Sequence, residues 1–150
     1  MMERYGYSIF CDEIRNEVGG KLSFVGCYNA VMFTAQAFPV ILPKFCIHLH
    51  VFSPVTQPYE SFLSRCYVPG RADPAAEEAI AVPSLQDQMG LLAELPKNGG
   101  AAPCIVVAAS LVFTPFEIPE PGVIRIRALI NGGPGELQVG SLTVAPARDG

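Results

Sequence analysis

Residues 123–130, Val-Ile-Arg-Ile-Arg-Ala-Leu-Ile, alternate apolar and polar positions. Ile124, Ile126, Ala128 and Ile130 fall on one side, with Arg125 and Arg127 on the other. Successive strand side chains point to opposite faces, so the run predicts a half-buried strand. Asn131-Gly132-Gly133 follows, and Asn and Gly accept positive φ at little cost, which predicts a turn. In the next run Leu137 and Val139 share one phase, and Leu142 and Val144 the other. The slip at Gly140-Ser141 predicts a β-bulge.

Earlier in the chain, Tyr5, Tyr7, Ile9 and Cys11 alternate with Gly6, Ser8, Phe10 and Asp12, which predicts a first strand. Residues 12–17 are charged and read as a short connector of at most one helical turn. Gly19-Gly20 marks a turn, and 21–33 reads as a strand broken near Gly26. A proline-bracketed loop spans 38–43. Residues 44–52 form the cleanest early strand, with Phe45, Ile47, Leu49 and Val51 on one face. Another strand covers 61–68, ended by Pro69-Gly70. Asp73-Pro74 has the form of a helix cap followed by a first-turn proline. Ser84 and Asp87 form a variant capping box, and Leu85, Met89, Leu92 and Leu95 recur at helical spacing. A helix over 84–95, packed on the sheet by that apolar side, is therefore expected. Residues 104–113 are apolar on both faces and predict a central strand. Residues 115–122 read as an extended connector. Strand-rich runs at both ends, with one helical insert between, predict a mainly β fold in one domain spanning 1–150. The expected architecture is an antiparallel β-sandwich, immunoglobulin-like or jelly-roll-like.

Composition changes this picture in one respect. Half of the 150 residues are hydrophobic and only 16% are charged, against roughly 25% charged in soluble domains. Either large inner faces absorb the surplus, or part of the surface is buried against a partner. Apolar character on both faces of 104–113 favours the second, and a homodimer at micromolar concentration is expected. A net charge of −4 with scattered basic residues gives no cationic surface for nucleic acid. The apolar stretch near Cys104 is about half the ~20 residues of a membrane-spanning helix, and no secretory leader is visible. Five cysteines at irregular spacing are not a disulfide framework, so a cytoplasmic location is expected.

Candidate chemistry is sparse. His48 and His50 flank Leu49; on a strand they share a side, roughly 7 Å apart, and could converge on one metal ion. Cys46 shares that side, but it lies about 13 Å from His50 along the strand, so a third ligand must come from elsewhere. The alternative is a pair of histidines on the polar face of an amphipathic strand. Asp12, Glu13, Arg15 and Glu17 read as a solvated turn with local ion pairs. No serine sits in a Gly-x-Ser-x-Gly elbow, and the glycine-rich stretches lack phosphate-loop spacing. No cofactor motif is present. Four aspartates, at 12, 73, 87 and 149, make no calcium-binding loop cluster. Arg125 and Arg127 form a stripe that could clamp an acidic partner, or serve as a solvated face that discourages edge pairing.

Ile9-Phe10-Cys11-Asp12-Glu13-Ile14-Arg15, then Gly20-Lys21-Leu22-Ser23 and Gly26-Cys27-Tyr28, resemble the opening of a family of small bacterial and phage proteins of unknown function. Phe116-Glu117-Ile118-Pro119-Glu120-Pro121-Gly122 through Arg127, with Gly140-Ser141-Leu142, resemble that family's C-terminal strands. The middle, 53–103, is not covered, and Glu13 stands where the family pattern has Asp. The resemblance implies a β fold and brings no catalytic residues. The expected function is a non-enzymatic binding or assembly module. A metal-dependent enzyme or ligand-binding protein built on His48 and His50 is the competing expectation.

Overall fold

The computed structural model describes residues 3–94 and 104–148. Along the chain these form β1 (Tyr5–Glu17), β2 (Lys21–Cys27), β3 (Val31–Thr34), β4 (Val40–Leu42), β5 (Phe45–Pro54), β6 (Phe62–Tyr67), β7 (Ala76–Ala79), α1 (Leu85–Glu94), β8 (Cys104–Phe113), β9 (Phe116–Ile118), β10 (Gly122–Ile130) and β11 (Leu137–Pro146). Two sheets make a β-sandwich. Sheet A runs β2-β1-β5-β8 and sheet B runs β3-β11-β10-β6-β7, with β4 and β9 as a separate pair. Every pairing is antiparallel except that of β3 with β11.

The inward positions are those the alternation marks. Ile124, Ile126, Ala128 and Ile130 of β10 meet Phe45, Ile47, Leu49 and Val51 of β5 in one buried cluster. Each fully buried Ile, Leu, Val or Phe contributes roughly 1.5–3 kcal/mol. The bulge falls where the phase slips: Ile126 pairs with Gly140 but Arg127 with Gln138, so Val139 is the extra residue. Asn131 takes φ 56° in the turn, and its side-chain oxygen accepts from the Glu60 and Ser61 amides at 2.6 and 3.1 Å. Two glycines let the sheets touch. A side chain at Gly6 would crowd Val139 of the facing sheet at 3.2 Å, and one at Gly140 would meet Ser8 at 2.7 Å.

Several expectations change. The charged 12–17 run continues β1 and pairs with β2 through Glu17↔Lys21. This hairpin is mostly exposed on both sides, so no alternation betrays it. The 21–33 run divides between the sheets: β2 stays in sheet A, and β3 leaves to pair with β11. The expected loop at 38–43 and connector at 115–122 hold β4 and β9, whose Val40 and Ile118 are opposed and fully buried. Their prolines flank the pairing and do not interrupt it. The Asp73-Pro74 helix start is instead the approach to strand β7. Among the described residues, 104–113 form an edge, because β8 pairs there only with β5.

The helix starts as expected, with the Asp87 amide donating to Ser84 Oγ at 3.1 Å, but its orientation is reversed. Leu85 and Met89 are 48% and 56% exposed, while Gln88 is fully buried. Gln88 Oε1 accepts from the Tyr59 amide, and its Nε2 donates to the Tyr59 carbonyl, both at 2.8 Å. A buried backbone amide and carbonyl need partners, and one carboxamide supplies both. The Leu92 side chain and Leu95 lie outside the described residues.

Candidate functional site

Sheet A turns outward a face made largely of rings. The register places Tyr5 against Phe52, Tyr7 against His50, Ile9 against His48 and Cys11 against Cys46. β8 continues the rows, with Val106 beside Phe52, Ala108 beside His50, Ser110 beside His48 and Val112 beside Cys46. Tyr5 stacks on Phe52 at 4.7 Å between ring centroids, and Tyr7 on His50 at 5.0 Å. His48 and His50 meet edge to face at 4.7 Å, and Phe24 leans over His48 at 5.3 Å. The expected polar strand face is thus aromatic and apolar. Tyr5, Tyr7, Val106 and Val112 are 50%, 46%, 45% and 54% exposed.

His48 is buried within this outer layer. Its Nδ1 shares a 2.8 Å hydrogen bond with Ser110 Oγ. Burial, followed by repulsion from His50, lowers its pKa below the ordinary 6.5, so it is neutral at neutral pH. His50 Nδ1 is buried and meets no hydrogen-bond partner among the described residues. The pair therefore sits side by side, as its spacing implies. Among the described residues, however, no group of three His, Cys, Asp or Glu side chains is placed to hold a metal ion. Cys46 turns its thiol to the Asp12 carbonyl at 3.6 Å.

Arg125 and Arg127 lie on the outer face of sheet B. Arg127 is committed to neighbours: Nη1 is 3.6 Å from Glu136, Nε donates to Gln138 at 3.3 Å, and the guanidinium lies 5.3 Å from the centre of the Tyr67 ring. Glu136 also accepts from Tyr67 Oη at 2.7 Å and from Arg65 at 3.3 Å. The Tyr67 hydroxyl, with Arg65 and Arg127, holds the Glu136 carboxyl below its ordinary pKa of 4.5. Arg65 has a second carboxylate in Glu77, at 3.0 Å. Arg125 is exposed, pairs across the sheet with Ser141 and Tyr67, and forms no ion pair among the described residues. The two arginines are therefore not equivalent.

Reasoning from sequence missed Phe24, Ser110 and Tyr7, which surround the histidines. Nothing local marks them, because their proximity depends on which strands pair. Among the described residues no helix is long and apolar enough to cross a membrane. No protein-family model matches this chain, no curated protein matches its sequence, and no solved structure matches its fold.

Proposed function

We propose that the protein is a non-enzymatic assembly module whose partner is a second copy of itself, joined through the edge of β8 that no other described strand pairs. One observation carries this reading. β8 is a ten-residue edge strand, Cys-Ile-Val-Val-Ala-Ala-Ser-Leu-Val-Phe, with no charge and no proline. Proteins guard exposed edges with Lys, Pro, bulges or covering segments, since a bare row of amides and carbonyls templates pairing. An uncharged strand is also compatible with itself: antiparallel pairing about a two-fold axis brings no like charges together. Val106, Val112 and the neighbouring rings would then continue across the joint. A specific interface needs roughly 1,000 Å², so the joint would have to take in these side chains as well as the backbone ladder. The resemblance of both ends to a bacterial and phage family brings no catalytic residues, and a reducing cytoplasm fits five cysteines at irregular spacing.

Ala108 lies at the middle of β8, beside the axis such pairing would use. The expected result by light scattering at micromolar concentration is twice the 16.1 kDa chain mass, and the single-chain mass for Ala108→Lys. A wild-type monomer throughout that range rejects the reading.

A further inference from the structure

The register of sheet A sets three thiols abreast. Cys27 on β2 is the direct partner of Cys11 on β1, and Cys11 is the direct partner of Cys46 on β5. Opposed residues in antiparallel strands have Cα atoms about 4.5–5.5 Å apart, within the 4.4–6.8 Å a disulfide spans. The Tyr28 amide donates to the Phe10 carbonyl at 2.9 Å. That makes 10–28 a hydrogen-bonded pair and puts 11–27 in the closer, non-hydrogen-bonded class. All three cysteines are free, and they differ in access: Cys27 is exposed, while Cys11 and Cys46 are fully buried. The Cys11 thiol donates to the Glu13 carbonyl at 3.4 Å.

We propose that Cys27 and Cys11 form a redox-active pair, in which hydrogen peroxide oxidises Cys27 and Cys11 closes a cross-strand disulfide. The Cys27 thiolate attacks one peroxide oxygen; an S–O bond forms, the O–O bond breaks and hydroxide leaves, taking a proton to become water. The product is the Cys27 sulfenic acid. The Cys11 sulfur then attacks the Cys27 sulfur. The S–S bond forms, the S–O bond breaks, and the departing hydroxide takes the Cys11 proton as a second water. Two thiols lose two electrons, and one peroxide becomes two waters. A dithiol reductant reverses the change.

Access divides the roles. Peroxide reaches Cys27 first. Burial, with Cys46 and Cys27 alongside, pushes the Cys11 thiol up to about 11, so it stays protonated and unreactive until a sulfenic acid forms beside it. Contact with its target then compensates for weak nucleophilicity. The pair lies at the β2 side of sheet A, away from the β8 edge, so it does not depend on the proposed dimer. In a reducing compartment such a bond is transient and serves as a sensor.

The test uses the reduced full chain, one equivalent of hydrogen peroxide, and peptide mass spectrometry after alkylation. A linked Cys11–Cys27 peptide pair is expected, reversed by dithiothreitol. In Cys11→Ser, dimedone should instead trap a sulfenic acid on Cys27. Cys27→Ser should slow loss of free thiols about tenfold or more. Cys46→Ser, which leaves both members intact, should still give the link and guards against a fold defect in the other variants. A Cys11–Cys46 link as the main product, Cys27 linked only between chains, or Cys27 driven to sulfinic acid with Cys11 still free would each overturn the proposal.

Discussion

The outer face of sheet B is a lattice of charge, and the outer face of sheet A, over β1, β5 and β8, is a stack of rings. On sheet B, Glu136 gathers Arg65, Arg127 and Tyr67, and Glu77 completes the row. Each group there keeps access to water, so each contact contributes little and can be lost singly. Around the histidines of sheet A the polar atoms are imidazole nitrogens, serine and tyrosine hydroxyls and thiols, set among Tyr5, Tyr7, Phe24 and Phe52, while that sheet's ion pairs, Glu13–Lys44 and Arg15–Glu17, lie toward the β1–β2 hairpin. His48 there is as buried as a core residue. Sheets of one sandwich thus meet solvent by different means, and the layer outside sheet A behaves as a second, thinner core.

The largest expected effect tests that second core. His48→Lys sets a strongly hydrated ammonium among Phe24, His50 and Ser110, with no carboxylate beside it among the described residues. Urea unfolding should show a loss of about 3 kcal/mol with an unchanged slope, by the cost of an unpaired buried charge. A loss below about 1 kcal/mol, the size expected of an exposed site, would mean that the ring layer is ordinary surface. Glu136→Gln should be milder, costing about 1–2 kcal/mol, because the amide can still accept from Tyr67 while charge assistance from two arginines is lost. Half-molar salt should shrink that difference, and indifference to salt would remove charge as the explanation for sheet B.

The smallest effect separates the faces by pH. His48 has a lowered pKa in the fold, so below its ordinary 6.5 the unfolded chain binds the proton first. Its contribution is complete above that value and is lost as pH falls through it. Glu136 has a depressed pKa, so its contribution is present above 4.5 and fails only in stronger acid. Stability measured from about pH 7.5 to 5.5 should therefore fall in the wild type, and less so in His48→Leu. Equal slopes for the two proteins would show that sheet A does not set the first acid loss.

Strand alternation made β5 and β10 legible, because one face of each enters the common core. The phase slip found the bulge, and Asn-Gly-Gly found the turn. What local pattern cannot carry is partner choice. The β1–β2 hairpin is wet on both sides, and β8 looks central because both its faces are apolar while its edge character lies in the backbone. His48 and His50 were visible as a same-side pair, but the ring layer around them comes from β1, β2 and β8. The three cysteines are scattered in sequence and adjacent only through two registers. Gln88 was the least legible, since it takes the buried position beside two exposed apolar residues.

The parallel pair of β3 and β11 bears on how the protein is made. Val31 finds its ladder partner only when Thr143 exists, and Ser8 of β1 likewise waits for the carbonyl of Val139. A ribosome delivers the β1–β2 hairpin early and must then emit most of the chain before sheet B can close over it. Until β10 and β11 emerge, the inner face of sheet A lacks the central strands of sheet B that cover it. Long-range closure of this kind is slow and exposes apolar surface to neighbours. The nascent chain is therefore the form of this protein with the greatest need of a chaperone, and truncation before β11 should leave an aggregating fragment in place of a smaller sandwich.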